Sequence, residues 1–542
     1  MVRPVQRGGL YANVRRGVVA CIAVVGTIVA WFAVTAALAG ASPDRSVTGV
    51  EKAAQTFARI EGLSRYRQSD WGYSVLDQKT GRVLLAQNQQ KMFDPGSTMK
   101  IYSVSTGLRM YGPNYRFRTP VYRQGTVAGG TLTGNLVLVA SGDLTFGLRE
   151  QRNGTLYYEN VPKADQSYAD ELPGAVEPPG NPLAALVELA AKVRASGITR
   201  VNGNVVIDDR LFTAYAGFPD GLIAPMWVNE NLIDLLLTPT FVGQRATLNW
   251  RPMTASYTVT NRVTTVGADK TTSINVTEPT PGRLLVSGQI AAHSSPVLRV
   301  WEVDRPSEFA RTAFIEALQR AGVTVTAPAT GANPTALLPR KGSYRQSDLI
   351  GEHVSLPMSQ YAKLILKVSY NRGADLMVCL AAVKVGSTNC LTGLGAELKT
   401  AVSLGVSRTS LFPQDGAGSD DQGRSTPLAL ATFLRRVATT SYGNTLFHAL
   451  PVLGRDGTLA DVFPKSPAAG HAQIKTGNRV VGTPAGQILV LGNSLAGYVQ
   501  TKSGRRIVLM IAVGNVPIST AEAFLNVVND QARMVIAIQQ DL

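Results

Sequence analysis

The sequence predicts a mixed α/β chain of the α+β kind, with helices flanking an antiparallel sheet and a β-rich middle. Three observations carry this. Alternating apolar residues form a strand pair near residue 75 and three strands near the end of the chain. Helical apolar spacing follows each of these strand groups. Between about 240 and 300, short runs rich in Thr and Val alternate, separated by Gly, Pro and Asn, which reads as a small all-β module.

In order, Val50 to Leu63 has helical spacing, and 71–77 and 81–86 read as strands joined by a turn. Asp94-Pro95-Gly96 breaks the chain, and a helix runs from Ser97 to about Tyr111. Strand-like alternation fills 119–145. Residues 150–182 are polar and rich in Pro, Gly and Glu, which predicts a long surface loop. A helix at 183–196, a strand at 203–208, a helix at 306–321 and the strand 323–325 bracket the β-rich module. Helices follow at 358–368 and from Gly373. The end reads as strands 472–476, 486–499 and 506–514, with a helix from about Thr520.

The 542 residues suffice for two to four domains. Apolar content of 45% and charged content of 17% mark a globular chain. The net charge is +16, four of it from Arg3, Arg7, Arg15 and Arg16. No dense Lys/Arg cluster with interleaved aromatics occurs, which argues against nucleic acid as a partner. A basic surface facing anionic envelope polymers or lipid headgroups fits the charge, as does a solvated surface without a dedicated partner.

No charge occurs from Gly17 to Pro43. That length crosses a bilayer, which needs about 20 residues, so 17–41 is expected to be a transmembrane anchor or a signal peptide. Ala37-Leu38-Ala39 and Ala39-Gly40-Ala41 are cleavage-site candidates. The Arg-rich side stays cytoplasmic, placing residues after about 42 outside. Of three cysteines, Cys379 and Cys390 fall outside and are either a disulfide or two buried thiols. His293, His353, His448 and His471 are scattered, with no Cys/His cluster, so no metal site is expected.

Three short motifs carry the chemistry: Ser97-Thr98-Met99-Lys100, Ser369-Tyr370-Asn371 and Lys475-Thr476-Gly477. In this order they are the signature of serine enzymes that react with penicillin. A serine hydroxyl is a weak nucleophile until a base takes its proton. Ser97 and Lys100 lie three apart on a predicted helix, hence on one face. Lysine becomes a base when burial or a second cation lowers its pKa. Lys475 is a candidate for that second cation, and equally for attracting a substrate carboxylate. Competing copies sit in the wrong contexts. Lys79-Thr80-Gly81 and Lys502-Ser503-Gly504 fall in turns between strands, Ser273-Ile274-Asn275 in the β module, and Ser387-Thr388-Asn389 in a loop.

The surrounding text resembles the class C low-molecular-mass penicillin-binding proteins, the D-alanyl-D-alanine carboxypeptidase/endopeptidase family. The resemblance covers about 60–542. It includes Pro95-Gly96 before the first motif, Val205-Val206-Ile207-Asp208-Asp209, and Arg372-Gly373-Ala374-Asp375 after the second. Asp415-Gly416-Ala417-Gly418, Gly457-Thr458-Leu459 and Leu495-Ala496-Gly497-Tyr498-Val499 complete it. The 272 positions from Ser97 to Ser369 exceed the spacing in simpler carboxypeptidases and β-lactamases.

The resemblance implies a serine penicillin-recognising transpeptidase-like domain, split by inserted β-rich domains. The chain is expected to open with a basic cytoplasmic tail 1–16 and the segment 17–41, and the transpeptidase-like domain to begin with 42–118. An inserted domain at 119–239, a nested β domain at 240–300 and a return segment at 301–350 follow. The transpeptidase-like domain then resumes and fills 351–542. Ser97 would be the acylated nucleophile, Lys100 its base, and Ser369 the proton relay to the leaving amine. Asn371 would hold the substrate amide, and Lys475, Thr476 and Gly477 would bind the substrate carboxylate end. The backbone N–H groups of Ser97 and Asn478 would form the oxyanion hole. The implied partners are peptidoglycan stem peptides and β-lactams, with no cofactor, at the extracytoplasmic envelope. The chain would be anchored by 17–41 or secreted after cleavage near 39–42.

Three departures stand out. Ser419-Asp420-Asp421 replaces a common Leu-Ser-Arg, and Asn478 a small hydroxyl residue. Trp227-Val228-Asn229-Glu230-Asn231 resembles a stretch that supplies an acid to the cleft. The rival readings are a catalytically degenerate wall-binding scaffold, and a β-lactamase or esterase on the same fold.

Overall fold

A computed structural model describes residues 48–161 and 163–542; the tail 1–16 and the segment 17–41 lie outside the described residues. Among the described residues, no helix is long and apolar enough to cross a membrane.

The two ends of the described chain build one antiparallel sheet. Its order is Ala472–Gly482, Ile488–Gln500, Arg506–Ile518, Asp70–Asp77 and Val83–Gln87. Successive side chains of a strand point to opposite faces, and the Arg506–Ile518 strand is apolar on both. Ile507, Leu509, Ile511 and Val513 pack in one core with Phe57 of the helix Gly49–Glu61 and Val535 and Ile538 of the helix Ala521–Asp541. Val508, Met510 and Ala512 pack in another with Leu430, Phe433 and Leu434 of the helix Pro427–Val437. The sheet is therefore the middle of three layers. Thr520 caps the last helix by accepting from the Ala523 N–H.

Behind the Pro427–Val437 side lies a helical cluster of Lys100–Tyr111, Met358–Lys367, Asn371–Lys384 and Leu391–Ser403. Cys379 and Cys390 are bonded (S–S 2.03 Å), tying the third of these helices to the start of the fourth.

Among the described residues, the middle of the chain forms three larger sheets and one short strand pair. A six-stranded mixed sheet runs Thr324–Val325, Arg200–Asn202, Thr131–Val139, Arg116–Ala128, Leu349–Pro357, with Val205–Asp208 also beside Thr131–Val139. The helices Ala184–Ala195 and Pro306–Arg320 share its core through Leu186, Leu189, Phe314 and Leu318. The strands Arg116–Ala128 and Leu349–Pro357 pair with each other, so residues on both sides of the expected joints at 118/119 and 350/351 belong to this sheet. The β-rich stretch holds two three-stranded sheets. One of them uses Leu232–Thr238 and extends to Glu302, wider than 240–300, because the nearly unbroken apolar run 232–237 hides its alternation.

Residues 150–182 are not merely a surface loop. Ala164–Asp165 pairs with Ala175–Val176, and Asp165 and Gln166 are buried. Charge pairing drives this, since the fully buried Arg149 guanidinium draws in Asp165 from this segment and Glu230 from another.

Candidate active site

Ser97 sits on a single 3-10 turn, Gly96–Met99, which leads into the helix Lys100–Tyr111. In a 3-10 turn, residues i and i+3 eclipse, and Lys100 Nζ lies 2.7 Å from Ser97 Oγ. The Asp94 carboxylate accepts from the Gly96 N–H at 2.8 Å, shaping the entry. Gly96 has φ +47°, and a Cβ there would stand 2.7 Å from the Asn478 nitrogen, so only glycine fits. The same closeness places the Asn478 backbone N–H against the serine turn. Ser494 Oγ and Thr98 Oγ1 both donate to the Pro95 carbonyl, at 2.6 and 2.7 Å, tying the turn to the sheet.

All three motifs meet. Lys100 is completely buried and donates to Asn371 Oδ1 at 2.6 Å and the Ala417 carbonyl at 2.9 Å. Lys475 Nζ donates to Ser369 Oγ at 2.9 Å and the Thr476 carbonyl at 2.7 Å. Thr476 Oγ1 lies 3.0 Å from Thr458 Oγ1. Gly477 lies so close to the Pro95 carbonyl that a Cβ would stand 2.2 Å from it. Ser369 holds φ +64°, a conformation disfavoured for a non-glycine residue. The helix that follows starts at Asn371, two residues before the expected Gly373.

Burial pushes the Lys100 amine down to about 8, opposed by the nearby carboxylates of Asp220, Asp415 and Asp375. Lys475 lies well below the usual lysine range, first through burial and then through repulsion from Lys100.

Two side chains of this site carry no sequence motif. The Tyr168 hydroxyl donates to the Ser369 carbonyl and lies 3.2 Å from Asn371 Oδ1. Asp220 Oδ1 accepts from Asn371 Nδ2 at 2.7 Å. Asp220 faces the cleft, whereas Glu230 does not. Glu230 is fully buried against Arg149 in a run of three positive-φ residues, Asn229 to Asn231. A cavity of ≈ 260 Å³ bounded by Tyr168, Glu171, Asp220, Glu302 and Asn371 opens here. The competing motif copies fall elsewhere: Ser273 is on the strand Ser273–Thr280, and Lys79 and Lys502 are in turns.

The Ser97 hydroxyl, a buried amine of lowered pKa and a second serine–lysine pair thus converge on one cleft. Residues 54–532 match the D-Ala-D-Ala carboxypeptidase 3 (S13) family. The chain belongs to this family. As an S13 member it is a hydrolase, a DD-carboxypeptidase of the low-molecular-mass penicillin-binding group. A D-alanyl-D-alanine carboxypeptidase of Actinomadura sp. (strain R39) is 22% identical over 436 residues, covering 75% of this chain and 72% of that protein. The carboxypeptidase DacB of Haemophilus influenzae is 19% identical over 414 residues, 72% of this chain and 76% of that one. The crystal structure of penicillin binding protein 4 from H. influenzae shares the fold, with a TM-score of 0.66 and 17% identity. The match covers 91% of this S13 chain and 99% of that one. The same protein complexed with a β-lactam gives a TM-score of 0.64.

Proposed function

We propose that this enzyme cleaves the D-Ala-D-Ala end, and crosslinks, of peptidoglycan stem peptides through an acyl-enzyme on Ser97. β-Lactams would acylate the same serine. The place of action is the cell envelope.

The observation that carries this reading is the set of partners around Lys100 Nζ. A neutral amine has two N–H donors and one lone pair. The carbonyl oxygens of Asn371 and Ala417 take the two donors, which leaves the lone pair for the Ser97 hydroxyl at 2.7 Å. Lys100 then accepts the serine proton as Oγ attacks the peptide carbonyl. Oxyanion charge would fall to the backbone N–H groups of Ser97 and Asn478, a reading supported by the close approach of Gly96 to the Asn478 nitrogen.

Ser369, hydrogen-bonded to Lys475, would relay the proton that Lys100 took from Ser97 to the leaving D-alanine or amine. Among the described residues no carboxylate is a hydrogen-bond partner of Lys475, so an incoming substrate carboxylate would supply its counter-charge. Thr476 and Gly477 would line that carboxylate end. The acids Asp220 and Glu171 at the ≈ 260 Å³ cavity favour a substrate side chain that carries positive charge. Water then hydrolyses the acyl-enzyme.

Labelling of a 42–542 fragment with a fluorescent penicillin, beside Ser97→Ala, tests this. An adduct that requires Ser97 supports it; a folded fragment that takes no label overturns it.

A further inference from the structure

The loop Asp415–Asp421 runs from the base to the strand that carries the last motif. At its inner end, the Gly416 N–H donates to Asp375 Oδ1 at 2.8 Å, and Ser103 Oγ donates to the Gly416 carbonyl at 2.8 Å. The Ala417 carbonyl accepts from Lys100. Gly418 has φ +78°, and a Cβ there would stand 1.9 Å from the Gly96 carbonyl oxygen, so the loop abuts the nucleophile turn directly. The Asp415 carboxylate accepts from the N–H groups of Gly418, Ser419 and Asp420 at 2.5, 2.9 and 2.7 Å, which fixes the bend from within. At the outer end, the Arg479 guanidinium, two residues beyond Gly477, donates to the Ser419 carbonyl and pairs with Asp421.

We propose that Arg479 is a positioning residue for acyl transfer. With Asp421 it latches the Asp415–Asp421 loop to the Ala472–Gly482 strand, and so keeps the Ala417 carbonyl on Lys100 and Gly418 on the serine turn. This rests on the roles given above to Ser97 and Lys100. The latch matters for placement rather than for folding. The Asp421 side chain is 64% exposed, and surface ion pairs contribute little stability. The bend survives without the latch because Asp415 holds it. Loss of the latch instead frees the loop to shift, and the second N–H of the neutral lysine loses its fixed acceptor. The lone pair is then no longer aimed at Ser97, and small misplacements of a reacting group carry large rate penalties.

The test compares the wild-type chain with Arg479→Ala, Arg479→Lys and the charge swap Arg479→Asp/Asp421→Arg. The noncovalent affinity for a fluorescent penicillin, the acylation rate constant and the melting temperature are measured for each. Arg479→Ala is expected to acylate about tenfold more slowly, with affinity within about twofold and melting temperature within about 2 °C. Arg479→Lys and the swap are expected to recover some of the rate. A wild-type adduct with an unchanged rate in Arg479→Ala overturns the latch alone. So does a rate loss matched by lost melting temperature that neither Arg479→Lys nor the swap recovers. Absence of any wild-type adduct overturns the acyl-transfer reading, and the latch with it.

Discussion

Lys475 Nζ donates to Ser369 Oγ across 2.9 Å, joining the last motif of the chain to the second. Both side chains are buried, and among the described residues no carboxylate is a hydrogen-bond partner of the amine. In the proposed mechanism the pair would couple substrate carboxylate binding to proton delivery, so its loss would fall on both. Lys475→Met is expected to lower the second-order rate constant for penicillin acylation by about 100-fold or more. Stopped-flow quenching by a reporter β-lactam measures it; a change under threefold would separate Lys475 from the chemistry.

Acylation also has a defined pH dependence. Burial lowers Lys100 to about 8, and only the neutral amine can accept the serine proton. The rate is therefore expected to fall as pH drops through about 8, and to level off above it. A pH–rate profile with a β-lactam lacking titratable side chains in this range checks the sign. A rate that rises toward acid would remove Lys100 as the base.

Tyr168→Phe deletes the hydroxyl that donates to the Ser369 carbonyl and lies beside Asn371 Oδ1. The strained φ of Ser369 then loses a restraint. Acylation should slow by about tenfold, while folding stability changes by about 1 kcal/mol. Urea unfolding beside the acylation assay distinguishes a placement role from a fold role.

Arg149 shows the opposite balance. Its guanidinium is fully buried between Asp165 and Glu230, and Arg149→Ala strands both acids without compensation. A loss of about 3–5 kcal/mol is expected in chemical denaturation. A loss below about 1 kcal/mol would mean that the site repacks or that water reaches the acids.

The disulfide links Cys379 to Cys390, eleven positions on. Replacing both cysteines by alanine should destabilise the chain by about 2–4 kcal/mol. Intact mass before and after reduction, on exported protein, checks the bond itself.

What the sequence reveals follows from how local each interaction is. Ser97 and Lys100 are legible because one turn sets their spacing, and Lys475 because it lies near the end of the strand expected at 472–476. Tyr168 and Asp220 reach the site only through the tertiary path of a polar, Pro- and Gly-rich segment, and no periodicity marks them. The stretch Trp227–Asn231 resembles one that supplies a cleft acid without placing that acid, and its Glu230 is held by the buried Arg149. The strand Ala472–Gly482 outruns the expected 472–476 because Asn478 and Arg479 break the apolar pattern while the backbone pairing continues through Gly482. The residues that break that pattern are those that meet the serine turn and the loop Asp415–Asp421.

The sheet that spans both ends of the described chain also sets a timetable. As the polypeptide emerges, Ser97 and Lys100 appear early, but the strand that presses on their turn arrives almost 400 residues later. Contacts this distant in sequence form late. Until Ala472–Gly482 and Arg506–Ile518 dock, the Gly96 turn has no wall, Ser369 has no lysine and the early strand pair lacks its central neighbour. A nascent or truncated chain therefore carries Ser97 and Lys100 without the surroundings that the last strands supply.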